Sequence, residues 1–258
     1  MVITFAKKED KDEIIALWQE AFLEKREDIE PFVDGYFEYF VLLKRNETVC
    51  SMLSMIPVFI KDEKGRYIYA VATKKEYQNR GYSSKLLEYV NEYINMNNEK
   101  FSVLVPASDS LFDFYEKRGY DTINCVEKNS VICEEVVENN YEIKKIDEKE
   151  YYSKRCDKLE NYTLIKWSEK DLLNIKNIYG GEFLYIENID ALVFGFCYNK
   201  NFIAKEILCK NENLGYVFGT IKREFNPEKI EYVTEGNEKF AMINNKLYNN
   251  LYFNLAID

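Results

Sequence analysis

The sequence predicts an α+β (mixed α/β) protein on a mostly antiparallel sheet, followed by a second, smaller domain of similar element order. Three observations carry this. Strand and helix periodicities alternate through the first 138 residues as strand, two helices, three antiparallel strands, helix, strand, helix, strand. An apolar strand, Tyr67-Ile68-Tyr69-Ala70-Val71-Ala72-Thr73, runs into Gln78-Asn79-Arg80-Gly81-Tyr82-Ser83, a glycine-bearing turn opening an amphipathic helix. After Asn139 the order returns as helix, three strands, helix, strand, without a second turn of that kind.

The elements follow in order. Asp10 to Lys25 places Ile14, Leu17, Trp18, Ala21 and Phe22 on one helical face. Pro31 to Phe40 reads as a second, aromatic-rich helix with proline in its first turn. Val41 to Leu43, a turn at Arg45-Asn46-Glu47, and Thr48 to Ile60 form a hairpin, and Arg66 to Thr73 returns after Asp62-Glu63-Lys64-Gly65. Ser83 to Asn97 carries Leu86, Leu87, Val90, Tyr93 and Ile94 on one face. Phe101 to Val105 is an apolar strand, and the stretch Leu111 to Tyr120 reads as a short helix stopped by Gly119. The polar run around Glu134-Glu135 and Glu138-Asn139-Asn140 sets a domain boundary, giving domains at 1–138 and 139–258. Beyond it, Ser168 with Asp171 starts a helix over Glu169–Tyr179 that Gly180-Gly181 stops. Strands follow at Phe183–Glu187, Ala191–Tyr198 and Phe202–Leu208, then a helix over Leu214–Phe225, then strands near Ile230–Val233, Phe240–Ile243 and Leu251–Ile257.

Composition narrows the chemistry. With 47% hydrophobic and 31% charged residues over 258 positions, the chain is a folded globular protein. The net charge of −10 argues against a nucleic-acid partner. No apolar run reaches the ~20 residues of a membrane helix, so no membrane partner is expected. Met1 to Ala6, followed at once by charged residues, does not read as a signal peptide, and six irregularly spaced cysteines read as reduced core thiols. A cytoplasmic location follows as an expectation. There is no histidine, which removes the commonest general base and most catalytic zinc sites. No metal is expected.

The turn itself points to an anion. First-turn N–H groups have no partners inside the helix and carry the positive end of its dipole, so a phosphate there is held by several amides. Gly81 suits this because a side chain would obstruct the anion's approach to the main chain. Ser83 and Ser84 add hydroxyls. Neither G-x-G-x-x-G nor G-x-x-x-x-G-K-[ST] occurs.

Gln78, Gly81 and Ser83, with Tyr115, Gly119 and Tyr120 in the later helix, together resemble the GNAT superfamily of acyl-CoA-dependent N-acyltransferases. Ser83 departs from a position more often glycine or alanine, and Ser108 from one often asparagine. The resemblance implies a GNAT fold with a splayed strand pair and a second, degenerate GNAT-like domain that has lost the cofactor turn. The arrangement is similar to tandem-GNAT proteins related to the enhanced-intracellular-survival acetyltransferases. It implies acetyl-CoA as acyl donor, bound by the backbone of Val71, Ala72 and Thr73, by Gln78, Asn79, Arg80, Gly81, Tyr82, Ser83 and Ser84, and by Ser110. It implies Tyr115 as the acid that protonates the leaving thiolate. It also makes the Asp258 terminus a candidate base or substrate anchor, with Glu38 an equal alternative. Arg80 and Lys85 are candidate phosphate contacts, though exposed charges beside a turn are commonly just solvated.

The expected activity is transfer of an acetyl group to a primary amine of a small cationic molecule or lysine. The alternatives are an inert acyl-CoA-binding sensor or interaction module, and an aminoacyl-tRNA-dependent transferase, which the acidic charge and intact turn oppose. The oligomeric state, a homo-oligomer included, is open at this point.

Overall fold

A computed structural model describes every residue except Lys246, Leu247, Asn249, Asn250 and Asp258. In chain order the elements are β1 (Val2–Phe5), α1 (Lys11–Phe22), α2 (Arg26–Tyr36), β2 (Phe40–Arg45), β3 (Thr48–Ile60), β4 (Glu63–Thr73), α3 (Tyr82–Met96), β5 (Phe101–Leu104) and α4 (Asp109–Glu116). They continue as β6 (Asp121–Ile132), β7 (Lys144–Lys145), α5 (Glu148–Lys158), β8 (Thr163–Lys166), α6 (Glu169–Tyr179), β9 (Glu182–Ile186), β10 (Ala191–Tyr198) and β11 (Asn201–Leu208). The last are α7 (Leu214–Phe225), β12 (Lys229–Glu235), β13 (Glu238–Ile243) and β14 (Leu251–Tyr252). Among the described residues no helix is long and apolar enough to cross a membrane.

The chain forms two compact units that interleave in sequence: one takes residues 1–122 and 241–248, the other 123–240 and 249–257. This differs from a contiguous division at 138/139. The polar run chosen as a linker is tied down inside the second unit, where Asn139 bonds the Tyr216 carbonyl and the Thr220 hydroxyl. Val136, Tyr141 and Ile143 pack on that unit's core.

In the first unit β1–β2, β2–β3 and β3–β4 pair antiparallel, and β4 pairs β5 in parallel. The end of β13 adds antiparallel to β5, with Met242 opposite Leu104 and Ile243 opposite Val103. Asn244 extends the seam: its Oδ1 accepts the Ser102 N–H at 2.6 Å and its Nδ2 donates to Asn91 Oδ1 at 3.0 Å. On one face α3 and α4 bury Leu86, Leu87, Val90, Phe112 and Tyr115 against Val41, Leu53, Ile68 and Leu104. Each such aliphatic or aromatic side chain contributes about 1.5–3 kcal/mol. On the opposite face Trp18 of α1 and Phe32 of α2 meet the Tyr69 ring at 5.7 and 4.9 Å. Arg66 on β4 is buried in a two-point pair with Glu99 (2.7 and 2.5 Å), bracing β4 where its pairing with β5 begins.

Helix α2 begins at Arg26, so Pro31 lies inside it rather than in its first turn. The proline is exposed, and so is Glu27, the residue whose carbonyl it cannot serve.

The second unit repeats the order with variations. β12 pairs antiparallel with β6 and in parallel with β11, and β11–β10, β10–β9 and β9–β7 are antiparallel. α7 packs Val217, Phe218 and Ile221 on one face. Beneath α5, Arg155 holds Glu206 at 2.8 and 3.0 Å while the Tyr151 hydroxyl donates to the same carboxylate at 2.6 Å. The terminal segment 251–257 is buried here, with the Leu255 carbonyl accepting from Trp167 Nε1 at 2.7 Å. Only Leu251–Tyr252 pairs as a strand, shorter than the expected Leu251–Ile257.

Candidate functional site

The turn expected to bind an anion has the geometry for it. After β4, a single 3-10 turn (Lys75–Tyr77) leads to Gln78, and α3 starts at Tyr82. Asn79 and Gly81 adopt left-handed backbone at φ 60° and 73°. Among the described residues none of the main-chain N–H groups of Asn79, Arg80, Gly81, Tyr82, Ser83 and Ser84 has a hydrogen-bond partner; the first internal bond is Lys85 N–H to the Gly81 carbonyl. Six consecutive unpaired donors stand at the positive end of a 15-residue helix, the arrangement that favours an anion. The reason for glycine differs from the one expected. A Cβ on Gly81 would meet nothing within 4 Å, so conformation, not space, requires it in the free protein.

Strand β4 supplies the second part. Its parallel pairing with β5 covers only Gly65–Ile68. The pairing ends with β5 itself at Leu104, and β4 continues to Thr73 along β3 alone. A bulge marks the point: Ser54 faces Tyr69 and Met52 faces Ala72, leaving Ala70 and Val71 opposite Leu53, with Ala70 at φ 52°. The Lys74 N–H bonds the Cys50 carbonyl at 2.9 Å, so by antiparallel alternation Ala72 also faces β3. Its carbonyl further accepts the Ser51 hydroxyl at 2.8 Å. Val71 and Thr73 therefore present their main chain to the open edge, while Ala72 does not, contrary to the expectation for all three. The Thr73 carbonyl is taken by Gln78 Nε2 at 3.2 Å. Gln78 thus ties the turn to the strand end instead of facing a ligand with that group.

Helix α4 supplies the third part. Tyr115 is buried among Phe114 and Tyr120, and its hydroxyl makes no hydrogen bond among the described residues. Burial pushes this hydroxyl up to about 12, with the nearby Arg118 charge acting in the opposite direction. Arg118 was not foreseen. Its Nη2 donates to Ser84 Oγ at 2.5 Å, its Nη1 to the Phe114 carbonyl at 2.6 Å, and its guanidinium carbon lies 3.5 Å from the Phe114 ring centre. It therefore joins the end of α4 to the first turn of α3, and it leaves the Ser84 hydroxyl one donor for a ligand. At the other end of α4, Ser110 is exposed and shares a hydrogen bond with the N-cap Ser108 at 3.0 Å.

The fold thus brings together Val71, Thr73, Asn79 to Ser84 and Tyr115 in one unit. Arg80 and Lys85 are exposed, Arg80 lying over the Tyr77 ring at 5.4 Å. Glu38 is exposed in the 3-10 turn Phe37–Tyr39. Asp258 lies outside the described residues. Among them no group of histidine, cysteine or carboxylate side chains has the arrangement of a metal site. Of the cysteines, Cys50 and Cys133 are buried as expected but Cys197 is exposed.

Residues 2–123 match the family model described as "Acetyltransferase (GNAT) domain". A comparison with curated protein sequences finds no match. Among solved structures, a GCN5-related N-acetyltransferase from Kribbella flavida superposes with TM-score 0.73 at 14% identity, over 94% of this chain and 70% of that one. One from Anabaena variabilis gives 0.73 at 14%, over 94% and 72%. Eis1 from Mycobacterium abscessus gives 0.61 at 7%, over 94% and 73%. At these identities the likeness speaks for the fold: a mixed α/β GNAT architecture continued into a second GNAT-like domain. With the unpaired turn, the free β4 edge and the tyrosine helix all inside the matched residues, residues 2–123 of the chain form a GNAT acetyltransferase domain.

Proposed function

We propose that the first unit transfers an acetyl group from acetyl-CoA to a primary amine of a small cationic molecule or lysine. The observation that carries this is the row of unpaired amides from Asn79 to Ser84, set beside a β4 edge that has lost its neighbour. A diphosphate meets the first, and an extended amide-containing arm can pair with the second as an added strand. The donor set is thus neutral main chain plus hydroxyl, suited to an anionic, phosphorylated carrier.

Acetyl-CoA supplies a carbonyl activated as a thioester: the N–C bond forms, the C–S bond breaks, the amine gives up one proton and the thiolate takes one. The residues of this chain orient and polarise. The Val71 main chain, re-aimed by the bulge, offers its N–H to the open edge where the carbonyl oxygen develops charge. Tyr115 stays protonated throughout the neutral range and offers its hydroxyl to the sulfur. A thiolate near 8.5 in water cannot take a proton from a hydroxyl near 12 without a cost of about 5 kcal/mol. Burial narrows that gap by raising the thiol too, and a hydrogen bond that strengthens as charge builds on sulfur needs no completed transfer.

The test is Tyr115→Phe. CoA affinity by calorimetry should be unchanged and turnover should fall about 10²-fold; unchanged turnover removes the acid. The weak acidity of Tyr115 also favours a second reading, an acyl-CoA sensor without turnover. It predicts CoA binding with no thiol release across a panel of amines.

A further inference from the structure

The unpaired amides and the Tyr115 hydroxyl belong to different helices, and one side chain bonds to both helices. Arg118 stands two residues past the end of α4, where its N–H bonds the Tyr115 carbonyl at 2.8 Å. An arginine at that place ordinarily caps its own helix, whose last carbonyls lack internal partners, and the Nη1 bond to the Phe114 carbonyl at 2.6 Å does so. Its Nη2 leaves the helix. It donates at 2.5 Å to Ser84 Oγ, in the first turn of α3 and 34 residues away in sequence. The Phe114 ring lies 3.5 Å from the guanidinium carbon, and Tyr120, two residues on, shares a 2.6 Å hydrogen bond with Ser102 of β5. The guanidinium is therefore held in place, yet its Nε is buried without a hydrogen-bond partner. Among the described residues no carboxylate pairs with it. A positive charge without a counterion thus stands beside the amide row, of which the Ser84 N–H is the last member.

Because Ser84 Oγ accepts from Arg118, its own proton is left to donate, and a hydroxyl polarised by a guanidinium donates more strongly. The chain of Phe114 carbonyl, guanidinium and Ser84 hydroxyl is complete on the α4 side and open on the turn side. A phosphate oxygen accepting from Ser84 strengthens the bonds behind it and supplies the missing counter-charge. The planar fork holds its two acceptors at a set spacing, which an ammonium on a flexible stem does not. We propose that Arg118 is a positioning residue through which the carrier's phosphates, bound at α3, fix the Tyr115 helix in place for the transfer. The inference rests on the acyl-transfer reading for the identity of the carrier.

Hydrogen exchange on the full chain, read by mass spectrometry, tests this with ADP, which carries the diphosphate but has no arm to reach Tyr115. In the wild type ADP should slow exchange at least threefold both in residues 79–85 and in residues 111–118. In Arg118→Met the slowing should persist at 79–85 and vanish at 111–118, and Ser84→Ala should lose it at 111–118 with Arg118 intact. Arg118→Lys should not restore it. With acetyl-CoA and the amine panel, Arg118→Met should lower turnover about tenfold while CoA affinity weakens severalfold at most. With S-acetylpantetheine, which lacks the diphosphate, variant and wild type should turn over alike, whereas a merely structural strut would lower both donors equally. An α4 that ignores ADP in the wild type, responds equally in Arg118→Met, or is restored by lysine overturns the inference, as does an equal loss with both donors. If no amine is turned over, the exchange data alone decide. A wild-type chain that binds neither CoA nor ADP overturns the acyl-transfer reading and the inference with it.

Discussion

Gly81→Ala separates two reasons for a glycine in the anion turn. The residue sits at φ 73° with open space where a Cβ would go. Alanine there meets no clash but carries about 1–2 kcal/mol of left-handed strain. The turn is exposed, and its amides have no internal partners to resist rearrangement. Strain should therefore relax in the free protein, with little change in melting temperature, and reappear when CoA demands the cradle geometry. Since only the competent fraction binds, the apparent Kd should rise about 5- to 30-fold. Asparagine tolerates the left-handed region better, so Gly81→Asn should bind CoA more tightly than Gly81→Ala despite its larger side chain. Calorimetric titration with CoA, beside thermal unfolding of each variant, makes the measurement. If alanine matches wild type, the backbone conformation of the turn is irrelevant to binding. If asparagine is worse than alanine, bulk beside the anion governs and the conformational argument fails.

Asn244→Ala leaves the buried Ser102 N–H without a partner and should cost about 1–3 kcal/mol in urea unfolding; Asn245→Ala, which removes a surface bond to the Lys100 carbonyl, should cost under about 0.5 kcal/mol. Glu206→Gln strands the buried Arg155 charge and should cost about 3–5 kcal/mol while CoA affinity in the first unit stays constant. Tyr115, raised to about 12 from near 10, adds stability fully present below pH 10 and lost as pH rises toward 12; Tyr115→Phe should flatten alkaline unfolding in that window. Calorimetry should return one CoA per chain, because in the second unit the 3-10 turn Asn211–Asn213 runs straight into α7, with nothing corresponding to Gln78–Gly81.

Where local chemistry decides structure, the sequence could be read directly. Ser168 and Asp171 form the expected reciprocal cap and Gly180 the left-handed stop, so α6 has the bounds its residues announce. The order β9, β10, β11, α7, β12 followed from apolar spacing for the same reason. What was missed depends on partners distant in sequence. α5 buries only Tyr151 and Arg155, both toward Glu206, so its face is polar and invisible to apolar periodicity. The bulge at Ala70 has no residue signature, since alanine is a poor choice for left-handed backbone, and without it Ala72 looks equivalent to Val71. Arg118 was adjacent to a motif glycine, but its link to Ser84 spans two helices. The domain boundary was misplaced because polarity marks solvent exposure, and Asn139 is polar precisely where it bonds a helix terminus and a threonine.

The two units preserve one backbone device and differ in one insertion. In each, a parallel pairing of four residues (Gly65–Ile68 with Phe101–Leu104, Asn201–Ala204 with Lys229–Tyr232) ends at a bulge in the longer strand. The short pairing followed by a bulge is thus a property of this sheet, present with or without a ligand turn, and the Gln78–Gly81 turn is an addition of a few residues before α3. That makes loss of binding in one copy easy while the sheet persists. Retention of the second copy then needs a separate cause, and the chain path supplies one. The β5 seam is closed by Met242, Ile243 and Asn244, and the Ser102–Asn244 bond spans 142 residues. A chain ending at 138 would lack those partners, leaving Ser102 and the β5 edge unpaired in a core where Met242 and Ile243 are otherwise buried. Closing so long a loop is favourable only if the intervening residues are already compact, because loop entropy grows with length while a compact insert brings its ends together. The second unit shortens that loop, and a copy without a ligand turn does so as well as one that has it.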